Sequence, residues 1–109
     1  MRDSERYSVV WSDDAELALL RHKKFINVKL AYRNSFSQLD RDPYKQKEGV
    51  IDYPGFKFNG YYWTNINNAI VFYRVDDVSR TVYIDGCDSA LTLEALKKYY
   101  GEYDPWEEE

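Results

Sequence analysis

Two rhythms divide this chain. From Asp13 to Leu39 no Gly or Pro interrupts, and Ala15, Ala18, Leu19, His22, Phe25, Ile26, Leu30 and Phe36 recur near helical spacing. That stripe predicts one long helix or a tight pair, and its drift near Lys23 favours a break there. Ser12 supplies an N-cap, followed by Asp13, Asp14 and Glu16 where the helix dipole favours negative charge. Before it, Arg6 to Trp11 is a short β-prone run. Asp40-Arg41-Asp42-Pro43 ends the helical region, because the residue before proline is pushed out of helical geometry. The following stretch to Asn59 reads as loop, with a short candidate strand at Val50 to Tyr53 and turn dipeptides at Pro54-Gly55 and Asn59-Gly60.

From Tyr61 the rhythm changes to β. Tyr61 to Ile66 is one run, Asn67-Asn68 suits a tight hairpin, and Ala69 to Val75 is the second strand. A break of Asp76, Asp77, Val78 and Ser79 leads to a third run, Arg80 to Asp85. Ser89 or Thr92 then caps a final helix, Leu91 to about Tyr100, which Gly101 ends. The order predicts an α+β fold: an antiparallel sheet of about four strands, with an N-terminal helical region and a C-terminal helix packed on one face. Residues 1–109 form a single domain, with 102–109 an acidic tail whose Trp106 is a candidate to dock back onto the body.

Composition narrows the picture. At 44% hydrophobic and 31% charged residues the chain is globular. No apolar run approaches the roughly 18 residues of a membrane span. The single cysteine, Cys87, excludes an internal disulfide and suits a reducing cytoplasm. One His and one Cys cannot supply a metal-ligand set, and no Gly-rich phosphate loop is present, so neither a metal nor another cofactor is implied. A net charge of −4 argues against a direct grip on nucleic acid, which normally needs a basic face. Eleven tyrosines are the compositional outlier; such rings fill cores or furnish binding faces.

Four segments carry a resemblance: Tyr7 to Glu16 (strand, then capped helix), Asp42-Pro43, Ile70-Val71-Phe72-Tyr73-Arg74-Val75-Asp76-Asp77, and Thr81-Val82-Tyr83-Ile84. Together, over roughly residues 6–90, they resemble the RelE/ParE superfamily of toxins from type II toxin–antitoxin modules. The resemblance implies a growth-inhibiting toxin, of the kind linked to plasmid stabilisation and neutralised by a cognate antitoxin, with the ribosome or DNA gyrase as target. RelE-type mRNA cleavage is metal-free and needs a base, an acid and cations balancing charge on phosphate. At the positions matching the family's arginine and lysines stand Ile70, Trp63 and Asn65, and at its final basic and aromatic positions stand Asp88, Ser89 and Ala90.

The remaining candidates for catalysis are therefore Arg74, His22 and Lys57. Tyr61, Trp63, Arg74 and Asp88 are candidates for binding. Alternation sends Tyr61 and Trp63 to one sheet face and Tyr62 to the other, and Arg74 shares a face with Ile70. Arg74 as an ordinary solvent-facing arginine paired with Asp76, Asp85 or another carboxylate across the sheet is the competing reading. Three functions follow: a toxin acting by binding its target, a ribosome-dependent mRNA endoribonuclease with a rearranged site, or a non-toxic binding module on the same scaffold.

Overall fold

The computed structural model describes residues 6–91. Apart from Leu91, the expected C-terminal helix and the acidic tail lie outside the described residues. The observed order is β1 (Ser8–Trp11), α1 (Asp13–Leu20), α2 (Val28–Leu39), α3 (Pro43–Gln46), β2 (Gly49–Val50), β3 (Tyr62–Ile66), β4 (Ala69–Asp76) and β5 (Thr81–Ser89).

These strands make one five-stranded sheet in the order β1-β5-β4-β3-β2. The α+β class holds, but the sheet is mixed rather than wholly antiparallel. β1 runs parallel to β5, with Ser8 opposite Thr81 and Trp11 opposite Ile84. A parallel neighbour requires a long return connection, and here all of α1 to β4 lies between the two partners. The fifth strand is the two-residue β2, which pairs Gly49 with Trp63. It is shorter than the Val50 to Tyr53 run and starts one residue earlier.

The helical region is a pair, broken where the stripe drifts. The Ser12 hydroxyl accepts from the Ala15 amide at 3.0 Å and caps α1. α1 stops at Leu20, and the Asn27 side chain, accepting from the Leu30 amide at 3.1 Å, caps α2. Asp42-Pro43 ends one helix and begins another: Asp42 accepts from the Lys45 amide, and Pro43 occupies the start of α3, where a missing N–H costs nothing. The β3–β4 hairpin turns on Asn67 and Asn68, both at positive φ (53° and 72°), a pairing that asparagine tolerates better than most side chains.

α1 and α2 cover one sheet face. Ala15, Leu19, Ala31 and Leu39 pack there against Val71, Tyr73, Val82 and Ile84. Trp11 joins β1 to α2: its indole N–H donates to Ser35 Oγ at 2.9 Å, and that hydroxyl donates to the Tyr32 carbonyl at 2.6 Å. Ser35 is fully buried. At the far end, the Tyr7 and Tyr44 hydroxyls donate to the two oxygens of Asp77 at 2.7 and 2.6 Å. This clamp ties the β4–β5 turn to the residue before β1 and to α3. The hydroxyls of Tyr44 and Tyr7 hold the Asp77 carboxyl below its ordinary range, and the same bond pushes Tyr44 up to about 12.

Two outcomes follow. Ser35→Ala leaves the Trp11 indole N–H unpaired in the core, so it lowers unfolding free energy by about 1–3 kcal/mol in a urea titration. The Asp77 carboxyl is depressed in the folded protein, so its contribution is present at neutral pH and lost as pH falls through the folded value. The raised Tyr44 contributes below the ordinary tyrosine range and loses that contribution as pH climbs through about 12. The urea midpoint of Asp77→Asn therefore lies below that of the parent at pH 7. The gap narrows below about pH 4, and a gap of constant width would contradict the clamp.

Candidate functional site

The positions singled out by the resemblance do converge. Asn65 lies opposite Ile70 and Ile70 opposite Asp88, forming one row across three strands on the face away from α1 and α2. The adjacent row on that face is Trp63, Phe72 and Gly86. The geometry of a shared site is thus present, but its centre is apolar. Ile70 is fully buried, Phe72 is 2% exposed and Trp63 is 5% exposed.

This face is covered by residues 51–61. Ile51, Phe56, Phe58 and Tyr61 pack with Trp63, Ile70, Phe72 and Ala90 into a second apolar cluster. Phe58 stacks on Phe72 with ring centroids 4.9 Å apart, and Phe56 meets Phe72 edge-on at 5.8 Å. The stacking needs a glycine beneath it. A Cβ at position 86 would stand 2.6 Å from Phe58 and 2.7 Å from Phe72, inside contact distance. A bulge between Tyr73 and Phe72 in the β4–β5 ladder sets this up, because Ile84 pairs with Tyr73 while Gly86 pairs with Phe72. Asp85 is the extra residue, and its carboxylate meets Arg74 and Tyr61.

Beyond the aromatic cover, β4 emerges at Arg74. Its Nε donates to Asp85 Oδ2 at 2.9 Å, and its guanidinium lies 4.3 Å from the centroid of the Tyr83 ring. The Tyr61 hydroxyl donates to the same Asp85 oxygen at 2.9 Å. The Asp85 hydrogen bond holds Arg74 in its charged form. Burial, then the Asp85 bond, raises Tyr61 and keeps it neutral. Two shallow cavities of about 370 and 360 Å³ flank this cluster: one between Tyr44, Tyr61 and Arg74, the other between Arg21, Lys57 and Asp85.

The three catalytic candidates do not form one group. Arg74 is bound to Asp85. Lys57 is exposed, with its ammonium 5.3 Å from the Phe58 ring centroid. His22 lies at the end of α1, its Nε2 3.8 Å from Asp88. Of the binding candidates, Tyr61 is half-buried against the second cluster, Trp63 is inside it, Arg74 is exposed and Asp88 is half-buried. Burial pushes the Cys87 thiol up to about 12, leaving it protonated and without nucleophilic character at neutral pH. The residues that sequence reasoning passed over are Phe56, Phe58 and Gly86. Two aromatics alternating around Lys57, in a stretch read as loop, were the signal.

No family model matches the chain, and no curated protein matches it. Its fold is RelE-like. A chain in the crystal structure of the RelBE2 toxin–antitoxin complex from Mycobacterium tuberculosis superposes with a TM-score of 0.61, over 77% of this chain and 91% of that one. The two are 20% identical, so the likeness is one of fold. Among the described residues, no helix is long and apolar enough to cross a membrane.

Gly86→Ala tests the packed face. The new methyl group must displace two stacked rings, which costs about 1–3 kcal/mol. Equilibrium unfolding reads that loss, and a stability equal to the parent's would show that the aromatic cover is loose.

Proposed function

We propose that this protein is the toxin-like component of a type II toxin–antitoxin module, cytoplasmic, acting by binding a cellular target and neutralised by a cognate antitoxin. The RelE-like fold supports membership of such a module. One observation carries the choice of binding over cleavage: the sheet face that the resemblance would make catalytic is a second apolar core, roofed by Phe56 and Phe58 over Ile70 and Phe72.

Cleavage of a ribose–phosphate chain needs cations facing the phosphate and a group to take the 2′-hydroxyl proton. On this face Arg74 is committed to Asp85 and Tyr83, and Lys57 and His22 stand apart from it. Binding asks only for a complementary surface, and an acidic chain meets a protein target more readily than a phosphate-dense one. Gyrase is a target of that protein kind; the ribosome is the target under the cleavage reading.

Induced expression in a bacterial host is the test. The expected outcome is growth arrest, relieved by co-expression of the small protein encoded beside it, with translated mRNA left intact at the ribosomal A site. Arrest accompanied by A-site cleavage would replace this reading with the endoribonuclease. Unimpaired growth at high expression would replace it with a non-toxic binding module.

A further inference from the structure

Four exposed large apolar side chains lie on the helix pair and its turn: Leu17 is 54%, Leu20 51%, Phe25 69% and Tyr32 38% exposed. Between α1 and α2 runs a groove of about 280 Å³, lined by Leu19, Leu20, Val28 and Tyr32, with Glu16 and Lys29. That is slightly below the roughly 300–1,000 Å³ of ordinary ligand clefts, so the groove suits packed side chains better than a cofactor. Leucines and aromatics exposed together in this way mark a surface that another protein covers.

Charge on the two helices is segregated by sign. α1 carries Asp13, Asp14 and Glu16 and no cation. α2 carries Lys29 and Arg33 and no carboxylate. None of these five forms an ion pair among the described residues, although the Glu16 carboxylate accepts from the Tyr32 hydroxyl at 3.4 Å. Glu16 lines the groove from α1 and Lys29 lines it from α2. The groove thus has an apolar centre, an acidic wall and a basic wall. An occupant of one sign gains at one wall and loses at the other. The surface's own image, turned about a two-fold axis along the groove, gains at both.

We propose that this helix face is a self-complementary interface through which two copies of the chain associate. With the two-fold axis parallel to the groove, α1 of each copy lies against α2 of the other. Glu16 of each copy then meets the partner's Lys29, and the contact is made twice. Leu17, Leu20 and Tyr32 of both copies close over the joined grooves, which removes their apolar surface from water.

Size sets the strength. α1 and α2 are about 12 and 18 Å long, so the shared face is at the small end of specific interfaces. Arg21, Lys23 and Lys24 are exposed at the turn. The two turns approach one another in this arrangement, and their like charges oppose it. The association is accordingly weak and concentration-dependent. It rests on the helix face alone and stands with or without a toxin–antitoxin role.

Sedimentation velocity of the full chain, across a micromolar-to-millimolar concentration series, is the test. The expected weight-average mass rises with concentration toward twice that of the monomer. Leu20→Asp, Glu16→Lys and Lys29→Glu each move that rise to several-fold higher concentration. An equimolar mixture of Glu16→Lys and Lys29→Glu associates at the parent's concentration, because one variant has two basic walls and the other two acidic ones. Val78→Asp, at a turn residue 97% exposed, sediments like the parent. Circular dichroism confirms that each variant is folded. A parent chain that stays monomeric throughout the series overturns the proposal. So does association that survives all three groove variants, which would place it on another surface. A mixture that associates no more tightly than either charge variant alone overturns the pairing of opposite walls.

Discussion

Burial of β4 on both faces is the constraint from which the rest follows. Ala69, Ile70, Val71, Phe72 and Tyr73 are all buried in succession. Successive side chains on a strand point to opposite faces, so five consecutive buried positions demand two covers. The helices provide one, over Ala69, Val71 and Tyr73. The other has to come from elsewhere, and residues 51–61 are folded over Ile70 and Phe72 to supply it. Each fully buried large apolar side chain contributes roughly 1.5–3 kcal/mol, so this second cluster is a substantial share of a small domain's stability. Gly86 and the bulge before it are consequences, since the aromatic rings can descend only where the sheet offers no side chain.

The same constraint decides the electrostatics. A lone cation at position 70 or 72 would lie under two phenyl rings with no counter-charge, and burying an unpaired charge is far costlier than burying a methyl group. Ile70 at the centre of the Asn65–Ile70–Asp88 row, Phe72 beside it and the aromatic cover above them are therefore one coupled arrangement. Neither would be stable without the other. Charge reappears on β4 only at Arg74, where the cover ends, and even there three groups hold it in place.

Much of this was legible in the residues, and what was not has a physical reason. Local rules located the Ser12 cap, the break near Lys23, the Asp42-Pro43 boundary and the Asn67-Asn68 turn, because each depends on a few adjacent side chains. Strand alternation correctly separated Tyr61 and Trp63 from Tyr62. The parallel β1–β5 pairing escaped because no local signal marks a partner some seventy residues away. The third meander strand was expected to end at Asp85 and instead runs to Ser89. A bulge resets the side-chain parity there, so alternation read through Asp85 would misplace everything after it. Arg74 pairs with Asp85, one of the carboxylates the sequence offered it, and Asp85 is the residue the bulge inserts. Phe56 and Phe58 were read as loop because their flanking Gly and Pro residues are turn formers. That reading is right for the backbone but says nothing of the side chains, which point inward.

A scaffold can keep its topology while its interaction surface moves. The sheet face is closed by aromatics, so in this chain it is not the place where a partner gains contact area. Four exposed apolar side chains, Leu17, Leu20, Phe25 and Tyr32, instead lie on α1, α2 and the turn between them, where Arg21, Lys23 and Lys24 are also exposed. The α1 stripe explains the asymmetry: Ala15 and Leu19 satisfy the core, leaving Leu17 and Leu20 on the outer side, where a purely structural helix would carry polar residues. Leucines left half exposed beside a basic turn gain little for the isolated domain. They become favourable only when something covers them.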